Sequence, residues 1–117
     1  MKILVADDED LARRTLVMLL EESGYSVVDA RDGVEAVQKA TRELPDVILM
    51  DIAMPIMDGF QAAERLRENS RTENIPIIAC TGVPRPLDEW EGLFQAVIRK
   101  PFNSESVVSQ VQQFGER

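Results

Sequence analysis

The chain has 117 residues, with 21 acidic and 13 basic side chains, one cysteine and no histidine. That length suits one ordinary domain over residues 1–117, able to bury about two-thirds of its unfolded surface without a metal or disulfide. The composition excludes a disulfide framework, a cysteine zinc cluster, and Ser-His or Cys-His catalysis. A net charge of −8 opposes binding to a phosphate backbone, so no nucleic-acid function is expected.

Ile3-Leu4-Val5-Ala6 is a short apolar run cut off by Asp7, Asp8, Glu9 and Asp10, and reads as a buried strand. Leu11, Thr15, Leu16, Leu19 and Leu20 then give a helix its inner face, and Gly24 stops it. Tyr25 to Val28 reads as the second strand. Asp32 caps a helix with Val34, Val37 and Leu44 inward, ended by Pro45. Val47 to Met50 is the third strand and stops at Asp51. Asp58-Gly59 opens a helix with Phe60, Ala63 and Leu66 inward. Ile75 to Cys80 is the fourth strand, ending at Thr81-Gly82. Residues from Pro84 to Phe94 give at most a short helix near Pro86. Ala96-Val97-Ile98 is the fifth strand, followed by Lys100-Pro101. A last helix starts near Asn103 and packs through Val107, Val108, Val111 and Phe114. Strands and helices in alternation predict an α/β fold. Right-handed crossovers make it a three-layer, doubly wound, five-stranded parallel sheet.

Ligands of such sheets bind beyond the carboxyl ends of the strands, where the strand order reverses. Asp7 and Asp8 follow the first strand, Asp51 the third, Thr81 the fourth and Lys100 the fifth. Carboxylates this close repel one another, so a cation is expected among them. All-oxygen donors favour a hard ion, and few carboxylates plus water suit Mg²⁺ better than Ca²⁺. The hydroxyl and ammonium are placed for phosphoryl oxygens, and a carboxylate can itself accept the phosphoryl group.

Ile3 to Glu9, Met50 to Gly59, Thr81-Gly82 and Lys100-Pro101-Phe102 together resemble the response-regulator receiver family, as does the helix opening at Asp32-Gly33-Val34-Glu35-Ala36. The resemblance covers essentially the whole chain in order. It implies the flavodoxin-like strand order 2-1-3-4-5 and a phosphorylation switch of a two-component system. Asp51 would accept a phosphoryl group from a partner histidine kinase or histidine phosphotransfer protein, and a downstream protein would read the result. The implied cofactor is Mg²⁺, or Mn²⁺ in its place. Asp8 and Asp51 resemble its direct ligands, Asp7 acts mainly through bound water, and the backbone carbonyl of Ala53 completes the set. Thr81, with Gly82, resembles the switch at the phosphoryl group, and Lys100 the lysine that pairs with acceptor and phosphate. The Lys100–Pro101 bond is expected to be cis, at a cost of about 0.5–1 kcal/mol. Phosphotransfer to itself and autodephosphorylation are the only reactions expected. Val97 departs from the family pattern, which often carries an aromatic there. The segment between Thr81 and Lys100 also looks a few residues short and is interrupted by Pro84 and Pro86.

No run approaches the roughly 18 apolar residues of a membrane span. The start Met1-Lys2-Ile3-Leu4-Val5 runs into acids and is no signal peptide, so a cytoplasmic protein without membrane insertion is expected. The chain stops shortly after its last predicted helix, so no output domain is expected on it. A phosphatase resembling haloacid dehalogenases would carry a second Asp where Ala53 stands. A flavin module would carry glycines where the acids follow the first strand. An EF-hand starting at Asp8 fails at Arg13 and Leu19. Cys80 reads as a buried strand residue, Met50, Met54 and Met57 as packing, and Trp90 as an anchor for the irregular segment.

Overall fold

Strands sheltered on both faces need apolar side chains at every position, and two of the apolar runs meet that demand in full. The computed structural model describes residues 1–82 and 92–115. Its strands are β1 (Lys2–Ala6), β2 (Ser26–Ala30), β3 (Val47–Asp51), β4 (Ile77–Thr81) and β5 (Ala96–Arg99). β3 and β4 are buried along their whole length. The described helices are α1 (Asp10–Glu22), α2 (Gly33–Glu43), α3 (Gly59–Glu68) and α4 (Ser104–Gly115). All strand pairs are parallel, in the order β2-β1-β3-β4-β5, as expected from the sequence.

Alternation along the strands divides the core in two. Leu4, Ile48, Met50 and Ile77 face α2 and α3, which meet the sheet through Ala36, Ala40, Ala62, Ala63 and Leu66. Ile3, Val5, Leu49, Ile78 and Ile98 face Leu16 and Leu20 of α1 and Val107 and Val111 of α4. Three layers result. The expected caps form: Asp32 accepts from the Glu35 N–H at 2.8 Å. Asp58 and Gln61 exchange bonds in a capping box at the start of α3.

Several inward positions differ from the sequence expectation. Leu11 is 73% exposed, and Thr15 is exposed with its hydroxyl donating to the Leu11 carbonyl. Leu11 stands five residues before Leu16, about 140° around the helix from it, so it cannot share that stripe. The buried stripe of α1 is Arg13, Leu16 and Leu20. Leu44 is also exposed, because α2 stops at Glu43 and Leu44 turns into the left-handed region at φ 47°. The fourth strand starts at Ile77 rather than Ile75, since Pro76 has no N–H to give the ladder. The second strand runs from Ser26 to Ala30, one residue later at its start and two at its end than expected. The short helix expected near Pro86 and the anchor role of Trp90 lie outside the described residues.

Candidate metal and phosphoryl site

The sheet register builds the site. Ala6 pairs with Met50, Asp51 with Cys80, and Thr81 with Arg99. Asp7, Asp51, Thr81 and Lys100 therefore fall within one residue of a common edge, at the switch point between β1 and β3.

Asp7 is buried at 2% exposure and held at each polar group. Its N–H donates to the Ala30 carbonyl at 3.0 Å, and its carbonyl accepts from Arg13 Nη1 at 3.0 Å. Its Oδ1 accepts from the Glu9 N–H at 3.0 Å. Asp8, the next residue, is exposed and opens toward water. Asp51 is 7% exposed, and its Oδ1 accepts from the Ile52 N–H at 2.8 Å. Carboxylate oxygens of Asp7, Asp8 and Asp51 all lie within 4.8 Å of one another. The Lys100 ammonium stands 3.5 Å from both Asp7 Oδ2 and Asp51 Oδ1.

Two effects push the Asp51 carboxyl up to about 6: burial first, then the charge of Asp7, with Lys100 opposing both. Burial alone would lower the Lys100 pKa, but the charges of Asp51 and Asp7 outweigh it and hold the ammonium above its ordinary value. The site is therefore short of positive charge. Three hard oxygen donors, one of them open to solvent, with neither nitrogen nor sulfur beside them, fit a small divalent cation that keeps part of its water. Asp7, Asp8 and Asp51 could hold Mg²⁺ directly or through water.

The loop between β3 and α3 follows from close backbone approach. A Cβ on Gly59 would collide with the Asp51 carbonyl oxygen, and one on Gly33 with the carbonyl of Met57. The Gly59 N–H donates to the Ile52 carbonyl at 2.9 Å, folding the loop back on the end of β3. Ala53 is exposed on this turn, and Ile56 is 82% exposed with φ 70°. Thr81 is buried at 1% exposure, and its carbonyl accepts from the Lys100 N–H at 2.9 Å. Gly82 is exposed, and the Lys100–Pro101 bond is cis. Val97 is half-buried and packs against the buried Ile52 and Ala79, as do Phe60 and Phe94. The aromatic pair on this face is Phe60 with Phe94, ring centres 5.7 Å apart. Cys80 is buried, and burial pushes its thiol up to about 12, so it is inert.

Sequence reasoning missed Arg13. Its buried guanidinium reaches the Asp7 carbonyl as well as Asp10 and Asp29, while Lys100 is the cation beside the carboxylates of Asp7 and Asp51. An arginine three residues before an inward leucine was the available signal.

A sequence profile of the response regulator receiver domain matches residues 3–112. Protein PilH of Pseudomonas aeruginosa is 34% identical over 113 residues, covering 94% of this chain and 93% of that one. Two longer relatives, both transcriptional regulators, are matched over only 46–47% of their length. Among solved structures, the chemotaxis protein CheY4 of Vibrio cholerae superposes with a TM-score of 0.89 at 33% identity, covering 97% of each chain. The receiver domain of the sensor histidine kinase PA1611 of P. aeruginosa, solved with a magnesium ion in its active-site cleft, gives 0.92 at 28% identity. It covers 99% of this chain and 98% of that one. With sheet order, acidic edge and sequence profile in agreement, this chain belongs to the response regulator receiver domains of two-component signalling.

Proposed function

We propose that residues 1–117 form one receiver domain in which Asp51 accepts a phosphoryl group from a phosphohistidine. The observation that carries this reading is the convergence of Asp7, Asp8, Asp51 and Lys100 at one sheet edge. The donor is a histidine kinase or a histidine phosphotransfer protein, and a downstream protein binds the phosphorylated form. Both partners are placed in the cytoplasm with this chain.

A carboxylate oxygen of Asp51 attacks phosphorus, one P–O bond forms, and the donor's P–N bond breaks with its electron pair leaving on the imidazole nitrogen. The Lys100 ammonium, already 3.5 Å from Asp51, pairs with a phosphoryl oxygen as charge moves onto the group. The Thr81 hydroxyl and the Gly82 backbone at the end of β4 bind the remaining oxygens. Asp7, Asp8, Asp51 and the Ala53 carbonyl would hold Mg²⁺, which when bound neutralises phosphoryl charge; Mn²⁺ would serve the same donors. Hydrolysis of the aspartyl phosphate, by water entering from the open side at Asp8, resets the switch. Because Val97 replaces an aromatic, Thr81 carries the signal without a rotating ring.

Incubation with acetyl phosphate, followed by intact mass, tests the reading. Wild type should gain one phosphoryl group in Mg²⁺ and none in EDTA. Asp51→Asn should gain none in either. Equal uptake by wild type and variant would remove Asp51 from its role.

A further inference from the structure

Arg13 is the least exposed charged side chain of α1, at 5%, and lies outside the acidic cluster itself. Its guanidinium binds three acceptors at once. Nε donates to Asp29 Oδ2 at 3.0 Å, Nη2 to Asp10 Oδ1 at 2.7 Å, and Nη1 to the Asp7 carbonyl at 3.0 Å. Burial would lower its pKa, but the bonds from Asp10 and Asp29 outweigh that and raise it, so the group stays charged.

The third bond matters most for the site. The Asp7 carbonyl and the Asp8 N–H belong to one rigid peptide plane. On its other side, the Asp7 N–H is tied to Ala30 at the end of β2, and Arg13 is itself tied to Asp29 of that strand. Arg13 thereby ties the peptide that joins the two acids to β2, and the peptide before it is tied to the same strand at Ala30. Asp7 also has a buried carboxylate bonded to the Glu9 N–H, whereas the Asp8 side chain is exposed. The direction in which Asp8 leaves the backbone thus depends on the plane that Arg13 grips. Without that grip the peptide can rotate, and the Asp8 oxygen can leave the 4.8 Å group.

We propose that Arg13 is a positioning residue for the metal site, acting through the Asp7–Asp8 peptide to set the affinity for Mg²⁺. The proposal rests on the reading of the acidic cluster as a Mg²⁺ site. Groups that orient metal ligands typically change affinity 10–100-fold when lost. Replacement by Lys keeps the charge but not the three-way fork.

Calorimetric titration with MgCl₂ tests it on wild type, Arg13→Met, Arg13→Lys and, as a control, Thr72→Ala. Thr72 is buried and donates to the Leu66 carbonyl near the opposite edge of the sheet. Its loss destabilises the fold without touching the site. Arg13→Met should raise Kd about tenfold, Arg13→Lys several-fold, and Thr72→Ala not at all. In EDTA, hydrogen exchange at the Asp7 amide, which donates to the Ala30 carbonyl, should be faster in both Arg13 variants. If Arg13→Met does not fold, Arg13→Lys carries the same test. A wild-type Kd in the folded Arg13 variants overturns the proposal, as does an equal rise in Thr72→Ala. If wild type itself binds no Mg²⁺, the metal-site reading fails first, and the role of Arg13 with it.

Discussion

Asp51 is strained by the place the fold gives it. Its carboxyl is buried beside Asp7 and titrates near 6 rather than at the ordinary 3.8. Between those values the folded protein binds more protons than the unfolded chain, so this group's contribution to stability falls as pH rises through that window. A shift of about two units corresponds to roughly 3 kcal/mol at most. Asparagine at this position cannot ionise. In EDTA, Asp51→Asn should therefore be more stable than wild type by roughly 1–3 kcal/mol at about pH 8, and the advantage should vanish near pH 4. Urea unfolding of the two proteins across that range measures it. An advantage of equal size at both ends would mean that the Asp51 charge is not the source. Lys100 limits the strain but cannot remove it, since one ammonium is shared between two carboxylates at 3.5 Å each.

Strand ends and the turns behind them carry the rest of the site. Gly59 opens α3 directly under the Asp51 carbonyl, and an added Cβ would also lie 2.9 Å from Ile52 Cα. Both neighbours are backbone, so neither can swing away. Gly59→Ala should destabilise the protein by about 2 kcal/mol or more and slow phosphoryl uptake by displacing Asp51. Thermal melts and uptake rates on the same preparation would show both, and an alanine variant equal to wild type in each would contradict the packing described. These strand ends were legible in the sequence because continuous apolar runs stop abruptly at polar residues in β1, β3 and β4. The inner face of α1 was harder to read. Leu11 and Leu16 look alike in a hydrophobic pattern, and only the angle about the helix separates them. Arg13 was hidden by the same pattern, since a buried arginine takes its meaning from acceptors on other elements: Asp29 lies 16 residues away on β2. The Phe60–Phe94 pair depends on a contact between α3 and the segment that leads into β5, which no local spacing records.

For the molecule as a whole, the parallel order β2-β1-β3-β4-β5 does one thing that no single element could. It brings residues 7, 51, 81 and 100 to one edge of a sheet in which β3 and β4 are buried along their whole length. Sequence motifs named those residues, and the register puts three of them, Asp7, Asp51 and Lys100, within direct ion-pair reach. Four of the chain's 21 acidic residues, Asp7, Asp8, Glu9 and Asp10, follow β1 at this edge. Under the proposed function, this edge delivers the phosphoryl group to one carboxyl among three that are close together. Borohydride reduction of acetyl-phosphate-treated protein in Mg²⁺, followed by peptide mass mapping, reads that carboxyl directly, since reduction converts an aspartyl phosphate to homoserine. Asp51 as the acceptor predicts homoserine at residue 51 alone, and none when EDTA replaces Mg²⁺. Homoserine at residue 7 or 8, or labelling at residue 51 that is indifferent to Mg²⁺, would contradict it.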